Sequence, residues 1–325
     1  MNKCKYKRAL VTGGAGFIGS HLCQRLVNLG IEVIVIDDLS NGRNDAIPEG
    51  AKLTVCSVAD RESLGKLLGG VDIVFHLAAR TNIKESGKEL YEGCSTNIMG
   101  TVSLLSSFEG QKVKKVVFTS SAAVYGEGDR VVSNAEDHPT TPISPYGISK
   151  LASELLVSDI CVGLGIDYQV LRLFNVFGPG QRSDAYAGVV NEFIRAVAAG
   201  RPPTVWGNGE QVRDFIHIDD VIDAFVLAMD TDLSGQVINI GTGRPVTVNS
   251  LARLVLVEMQ SGLEPKHTDG PKGEIQSSVA DIRKAERLFG YRATGSIEDK
   301  ISTIISWLSE NSGQDRGIKG HKTPN

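Results

Sequence analysis

The chain has 325 residues, enough for one large domain or two modest ones. Hydrophobic residues make up 41% of it and charged residues 22%, a balance typical of a soluble globular protein. The formal net charge of −4 gives no reason to expect nucleic acid or an anionic membrane as a partner. No apolar run approaches the roughly 20 residues of a transmembrane helix, and the basic start lacks the cleavage pattern of a signal peptide.

Short apolar, β-branched runs alternate with helix-like segments along the first half of the chain. The predicted strands span residues 8–12, 31–36, 53–55, 73–77, 116–120 and 168–173. The predicted helices between them include residues 17–29, 97–108 and 146–162. Near-continuous apolar strands that alternate with helices indicate the α/β class, with a parallel sheet covered on both faces.

Beyond Phe177 the alternation becomes irregular. Turn chemistry appears at residues 178–180 and 201–203, and residues 237–240 read as a strand that returns to the main sheet. The predicted division is therefore a main domain, a smaller discontinuous α/β domain and a disordered tail: residues 1–175 plus 214–242, residues 176–213 plus 243–310, and residues 311–325.

The cysteines and histidines predict neither disulfides nor a bound metal. Five scattered cysteines without a CxxC pair favour reduced thiols in a cytoplasmic protein. The six histidines show no HxH or HxxxH spacing. His76 and His217 are expected to pack or to support other residues rather than to act as catalysts.

A glycine-rich turn follows the first predicted strand. Gly13, Gly16 and Gly19 stand between that strand and the first helix, where they permit close approach of a pyrophosphate to the helix N-terminus. Asp37 ends the second strand, where its carboxylate can accept hydrogen bonds from ribose hydroxyls and would repel a ribose phosphate. The pattern predicts a Rossmann-type doubly wound sheet that binds NAD rather than NADP.

Tyr146 and Lys150 lie four residues apart at the start of a predicted helix, so their side chains share one helical face. A phenol has a reference pKa of about 10, and a neighbouring ammonium group favours its ionised form. We therefore expect Lys150 to lower the pKa of Tyr146 and the pair to act as an acid/base unit.

Other motifs accompany this pair. They are TGGAGFIG at 12–19, DDLSNG at 37–42, HLAA at 76–79, NxxGT at 97–101, SSAAVYG at 120–126, SPYGISK at 144–150, LRLFNVFGPGQ at 171–181 and RDFIHIDDV at 213–221. With these motifs the chain resembles the extended short-chain dehydrogenase/reductase family, the NAD-dependent epimerases and dehydratases, over residues 7–307. It is most similar to the nucleotide-sugar branch typified by UDP-glucose 4-epimerase.

The resemblance implies a role for individual residues. Tyr146 would be the catalytic base, Lys150 its partner, and Ser121 the serine that hydrogen-bonds the reacting hydroxyl. Further cofactor contacts would come from Phe17, Ile18, Asp38, Ser40, Asn41, Gly42, Ser57, Val58, Leu77, Ala78, Ala79, Asn97 and Ser120. Further contacts with the nucleotide sugar would come from Asn175, Val189, Trp206, Arg213, Glu274 and Ser278.

For three of these residues a structural alternative stays open. Ser121 either contacts the substrate or caps the strand end, and Trp206 either lies against the uracil ring or packs in the core. Asn97 either lines the cofactor pocket or caps the helix that it begins.

The resemblance also exposes two departures from the family pattern. Ser57 stands where the family commonly has an aspartate that bonds adenine, and Pro271 stands where it often has a diphosphate-binding arginine. Lys272 could substitute for that arginine only as a point charge.

The activity implied is NAD-dependent epimerisation at the sugar 4-position of a UDP-hexose, through a transient 4-keto intermediate. Ala122 and Ala123 occupy the positions of the acidic pair in the 4,6-dehydratases, and small Ser278 predicts that acetamido sugars are accepted. The alternatives are a UDP-glucuronate 4-epimerase or decarboxylase, another nucleotide-sugar enzyme of the family, a simple dehydrogenase, or a non-catalytic NAD-binding regulator. The resemblance implies a homodimer formed through helices at 97–108 and 147–160.

Overall fold

A seven-stranded sheet forms the centre of the structure, a computed structural model that describes residues 5–81, 87–127, 133–181, 188–270 and 275–311. The strands are β1 (Arg8–Thr12), β2 (Glu32–Asp37), β3 (Ala51–Val55), β4 (Ile73–His76), β5 (Lys115–Ser121), β6 (Asp167–Leu173), β7 (Asn175–Phe177), β8 (Thr204–Trp206), β9 (Val212–Arg213), β10 (Phe215–His217), β11 (Gln236–Ile240), β12 (Val246–Thr247), β13 (Lys266–Thr268) and β14 (Ser277–Ser278). The α-helices are α1 (Phe17–Asn28), α2 (Arg61–Leu67), α3 (Gly87–Cys94), α4 (Gly100–Ser106), α5 (Pro145–Leu164), α6 (Val189–Ala198), α7 (Ile218–Asp230), α8 (Val248–Glu258), α9 (Arg283–Phe289) and α10 (Ile297–Asn311).

The central sheet has the strand order β11–β6–β5–β4–β1–β2–β3, and every neighbouring pair is parallel. The six strands predicted in the first half are confirmed, as is the returning strand, with bounds shifted by one or two residues. The strand order reverses between β1 and β4, and a crevice opens there beyond the carboxyl ends of the strands. The predicted α/β class with a Rossmann-type sheet is confirmed.

Helices cover both faces of the sheet, as strands that are apolar on both sides require. On one face α1, α7 and α9 bury side chains such as Leu22 and Phe225. On the other face α2, α4 and α5 bury side chains such as Leu104 and Val157. These two layers fix the strand ends that surround the crevice.

A third apolar cluster joins α6, α8 and α10 around β8, and it buries Phe193, Val205 and Ile301. This cluster comes from the segments assigned to the smaller domain together with Phe215 of the main domain, whereas α9 packs against the central sheet. The division into two domains stays a prediction. Helix α10 includes Asn311, the first residue of the predicted tail, and residues 312–325 lie outside the described part of the chain.

Asp214 connects the smaller cluster to the main sheet. Its carboxylate is fully buried and accepts four hydrogen bonds, from the Thr242 amide (2.9 Å) and hydroxyl (2.6 Å) and from the Gly243 (2.9 Å) and Ala280 (3.1 Å) amides. Burying a carboxylate is costly unless donors satisfy it, and here four donors do so. The carboxylate thus ties the loops after β9, β11 and β14 together.

One predicted helix differs from the structure. The sequence predicts it over residues 97–108. In the structure α3 covers Gly87–Cys94, a π-helical turn follows at Ser95–Met99, and the helical segment ends with α4 at Ser106. Residues 87–96 are mostly polar, so no apolar periodicity marks them as helical. Within the described ranges, no helix is long and apolar enough to cross a bilayer.

Candidate active site

A cleft lies at the carboxyl ends of β1, β2, β4, β5 and β6. It is lined by most of the residues that the sequence assigned to the cofactor, namely Gly13, Gly16, Phe17, Ile18, Gly19, Asp37, Asp38, Ser40, Asn41, Gly42, Val58, Leu77, Ala78, Ala79, Ser120, Tyr146 and Lys150. Ser121, assigned to catalysis and substrate binding, lines it as well. The parallel sheet therefore brings residues that are far apart in the chain to one edge.

The glycine turn leaves no room for side chains between β1 and α1. Gly13 adopts a left-handed φ of +72°, and a Cβ on Gly19 would lie 2.1 Å from the Gly13 carbonyl oxygen. In the described part of the chain no side chain caps α1, and its first turn carries no acidic residue. Its amide groups and positive dipole end therefore face the cleft, which fits the pyrophosphate of a dinucleotide.

Asp37 stands beside this turn at the end of β2. Its carboxylate accepts the Ala15 amide at 3.0 Å and the Leu39 amide at 2.9 Å, and it lines the cleft. Burial raises the pKa of Asp37, and the two amide hydrogen bonds oppose that shift. Because a carboxylate has about four acceptor sites, Asp37 retains capacity for ribose hydroxyls.

Two residues assigned to the cofactor lie outside the lining. Ser57 is exposed and its hydroxyl accepts the Ala59 amide at 3.1 Å. Asn97 is buried inside the π-helical turn, so the alternative that it caps the start of a helix is wrong. Its side-chain amide bonds the Arg80 amide (2.8 Å), the Arg80 carbonyl (3.0 Å) and the Ser149 hydroxyl (2.9 Å). Asn97 thereby holds Arg80, which does line the cleft.

Helix α5 presents the catalytic pair. The Ser144 hydroxyl accepts the Gly147 amide at 3.1 Å, Pro145 occupies the first turn, and Gly165 ends the helix in a left-handed conformation. Tyr146 and Lys150 lie on one face, with the Lys150 Nζ 6.0 Å from the centre of the Tyr146 ring. The predicted spacing therefore produces the predicted juxtaposition.

The charge state of this pair differs from the expectation. Burial raises the pKa of the Tyr146 hydroxyl to about 12, and a hydrogen bond with Ser121 only partly opposes the shift. The Lys150 Nζ donates to the Thr119 carbonyl at 2.7 Å instead of to the phenol, and burial lowers its pKa to about 7. The pKa of Tyr146 is therefore raised rather than lowered, because burial outweighs the hydrogen bond with Ser121. That Lys150 and a bound nicotinamide together favour the phenolate stays a prediction.

Ser121 takes the capping role that the sequence left open, and its contact with the substrate stays a prediction. Its hydroxyl accepts the Ala123 amide at 3.2 Å and also bonds Tyr146. It caps the short turn after β5 and stands beside the phenol at the same time.

The two histidines are structural. Burial lowers the pKa of His76 to about 3, and its ring bridges the hydroxyls of Thr12 (2.7 Å) and Thr101 (2.9 Å). His217 accepts the Asp219 amide at 3.3 Å at the start of α7, and burial lowers its pKa as well. Among the described residues, no group of side chains could hold a metal ion.

Three of the residues assigned to the substrate, Asn175, Arg213 and Ser278, lie on the short strands β7, β9 and β14. In the pairing of β14 with β9, Ser278 lies opposite Arg213, and Ser278 is buried. The Asn175 side chain donates to the backbone carbonyl of Asp214 at 3.1 Å, and Asp214 directly follows Arg213 in the sequence. The Glu127 carboxylate accepts the Gln276 amide at 2.9 Å and so holds the start of this segment.

Trp206 and Val189, two other residues assigned to the substrate, lie on different elements, β8 and α6. Trp206 is 50% exposed on β8, so the alternative that it packs in the core is wrong. Val189 begins α6. Glu274 and the departures at Pro271 and Lys272 lie outside the described residues.

The sequence missed several lining residues, among them Arg80, Thr81, Thr96, Thr119, Phe174, Val176 and Gln181. Phe174, Val176 and Gln181 belong to the quoted LRLFNVFGPGQ motif and could have been found there. Thr119 binds Lys150 through its backbone carbonyl, which leaves no signal in the choice of side chain.

A Rossmann-type sheet with a glycine cradle, a carboxylate at the end of the second strand and a Ser–Tyr–Lys set defines a dinucleotide-dependent enzyme of the short-chain dehydrogenase/reductase class. Residues 9–241 match the NAD dependent epimerase/dehydratase family, and the chain belongs to that family. Its cofactor is NAD, for which the cradle fits.

Known relatives align with almost the whole chain. It is similar to a solved UDP-glucose 4-epimerase from Thermotoga maritima with UDP-glucose, at 36% identity and a TM-score of 0.90, covering 94% of this chain and 99% of that one. A UDP-N-acetylglucosamine 4-epimerase from Methanobrevibacter ruminantium M1, in complex with UDP-N-acetylmuramic acid, shares 34% identity at a TM-score of 0.88, covering 94% and 99%. A UDP-N-acetyl-alpha-D-glucosaminuronate decarboxylase from Bacillus cytotoxicus is 31% identical, covering 94% and 98%.

The glycine cradle can be tested with Gly19→Ala. Because the added methyl group would meet the Gly13 carbonyl oxygen, the turn must shift and the purified protein should lose most of its NAD. Gly65→Ala in α2 is the matched control, since nothing lies within 4 Å of its added methyl group. NAD released per protomer after acid denaturation measures the effect, and equal NAD content in Gly19→Ala and wild type would contradict the assignment.

Proposed function

We propose that the protein is a UDP-hexose 4-epimerase that inverts the sugar 4-position with NAD that stays bound. The observation that carries the proposal is that Ser121, Tyr146 and Lys150 line the same cleft. In the sequence Ser121 is followed by Ala122 and Ala123. The first three side chains supply proton transfer at one hydroxyl. The two alanines cannot donate or accept the further proton that dehydration requires.

In the proposed reaction Tyr146 removes the proton of the sugar 4-hydroxyl while Ser121 hydrogen-bonds the same oxygen. NAD held by the glycine turn and Asp37 would supply reversible hydride transfer at that carbon, and Tyr146 would return the proton to the oxygen once the centre is inverted. With its pKa raised to about 12, Tyr146 needs nearby positive charge to ionise, and a protonated Lys150 provides it on the protein side. Contacts of Arg213 with the diphosphate would anchor the nucleotide while the sugar turns.

The alternative within the family is a glucuronate epimerase or decarboxylase. The relative from Bacillus cytotoxicus favours it, whereas Gly180 and Gln181 follow Pro179 where decarboxylases commonly have an arginine. Incubation with a panel of UDP- and dTDP-sugars, with chromatography of the products, separates these activities. Exchange between the 4-epimers without consumption of added NAD supports the proposal, and loss of carbon dioxide supports the decarboxylase.

The same assay separates the enzyme from the other two possibilities. A simple dehydrogenase needs exchangeable cofactor, so its turnover would require added NAD. A non-catalytic regulator would bind NAD and convert none of the sugars.

Tyr146→Phe tests the base. Removal of the hydroxyl should lower kcat by about 10²–10⁴-fold with little change in KM, the usual contribution of a positioned acid or base. Tyr168→Phe is the matched control because Tyr168 is the second residue of β6, at the opposite end of the sheet from the cleft, and its hydroxyl bonds the Ser158 hydroxyl. Near-normal turnover by Tyr146→Phe would refute the mechanism.

Ser278→Tyr tests the sugar specificity. Ser278 is small, buried and opposite Arg213, and a phenol there would occupy the volume that the proposal assigns to the acetamido group, so the variant should lose UDP-N-acetylglucosamine and retain UDP-glucose. Ser278→Ala should accept both sugars. The ratio of kcat/KM for the two sugars measures the effect, with the melting temperature as a check on folding. A wild-type enzyme inactive on acetamido sugars would contradict the proposal.

We also propose that the protein forms a homodimer through α5 and the preceding helical segment. Ile148, Leu155 and Val162 repeat every seven residues on α5 and are 54%, 65% and 69% exposed, and Met99 is 53% exposed. Such an apolar stripe fits an antiparallel or parallel helix pairing between copies.

Leu155→Lys should convert the dimer to a monomer, because it places a charge in the centre of this stripe. Val257→Lys, at an exposed apolar position on α8, is the control and should remain dimeric. Light scattering coupled to size exclusion gives the mass of each variant, and a dimeric Leu155→Lys protein would rule out this interface.

A further inference from the structure

Helix α5 carries a buried carboxylate that the proposed reaction does not use. Glu154 lies one helical turn beyond Lys150, and the two residues are 5% and 2% exposed. Carboxylates are rarely buried without a partner, so the surroundings of Glu154 show what it does.

The Glu154 carboxylate joins two neighbouring strands. Arg172 on β6 binds it through two hydrogen bonds, from Nε to Oε1 at 2.9 Å and from Nη2 to Oε2 at 2.7 Å. The Ser120 hydroxyl on β5 donates to Oε1. Ser120 and Arg172 are paired residues in the register of β5 and β6. One carboxylate therefore holds α5 against both strands at the edge of the cleft.

The hydrogen bonds of Glu154 hold the two elements that carry the proposed catalytic groups. Ser120 precedes Ser121 in β5, and α5 carries Tyr146 and Lys150. A change in the connection would alter the distance from Ser121 to Tyr146. A buried ion pair of this kind is a poor source of stability, because apolar side chains of similar volume can fill such a place equally well. A role of the Glu154 carboxylate in the catalytic site therefore explains its charge better than a contribution to stability does.

Few charges face Lys150. From α5 itself come Tyr146 and Glu154, from β4 comes the neutral His76, and from β6 comes Arg172, whose charge Glu154 compensates. Among the described residues, Glu154 is the carboxylate whose charge raises the pKa of Lys150 against the effect of burial.

On the basis of the proposed function, we propose that Glu154 is a positioning residue, which keeps Lys150 protonated and fixes Ser121 against Tyr146. It is not one of the residues that line the cleft. It acts through Lys150 and through Ser120.

The test is the pH dependence of kcat for NAD-containing Glu154→Gln. Glutamine keeps the size and can still bond Ser120, but it lacks the charge that holds the proton on Lys150. The alkaline limb of the profile should therefore move to lower pH by about one unit. At the wild-type optimum kcat should fall by about ten- to a hundredfold through misplacement, with KM nearly unchanged. Asp159→Asn, at an exposed carboxylate on α5, is the control and should keep the wild-type profile.

Glu154→Gln leaves Arg172 uncompensated, so Glu154→Gln/Arg172→Gln is measured beside it. The shifted alkaline limb should persist in this double variant, in which no unpaired charge is buried. An unshifted limb in the folded double variant, or loss of folding in both variants, would overturn the proposal and make the pair purely structural. Failure of the epimerase proposal looks different, since the wild type would then convert none of the sugars.

Discussion

The ammonium group of Lys150, buried against the Thr119 carbonyl, is the interaction on which the site depends. The bond at 2.7 Å fixes α5 on the carboxyl end of β5, and Tyr146 follows because it lies one turn away on the same face. A charge in this place is costly, since burial lowers the pKa of Lys150 to about 7. Its neighbours therefore decide whether the lysine is charged at neutral pH.

Much of the fold and part of the site follow from the sequence, because the signals involved are local. Apolar runs identified the strands of the central sheet, and the glycine spacing after β1 identified the cofactor turn. Burial is not a local signal. The direction of the Tyr146 pKa shift depends on how much protein surrounds the hydroxyl, and the interior position of Asn97 depends on a helix that begins ten residues earlier. Neither can be obtained from spacing.

The substrate side was harder to predict than the cofactor side for a related reason. Gly13 and Gly19 lie within one short turn, whereas Arg213 and Ser278 meet only through the pairing of two-residue strands. That pairing rests on contacts between distant segments, such as the buried Asp214 carboxylate with the amides that follow β11 and β14. Sequence motifs name such residues, but tertiary structure is needed to bring them together.

The side chains proposed for the redox step are different from those proposed to decide the product. In the proposed reaction Ser121, Tyr146 and Lys150 serve the oxidation and reduction of a hydroxyl, and similar chains include both epimerases and a decarboxylase. What happens after the keto stage depends on whether an acid or base stands next to Ser121, and in this chain two alanines follow it. If the proposed sugar is oxidised in this cleft, neither Ala122 nor Ala123 can supply the acid or base for loss of water, so these two side chains favour return of the hydride.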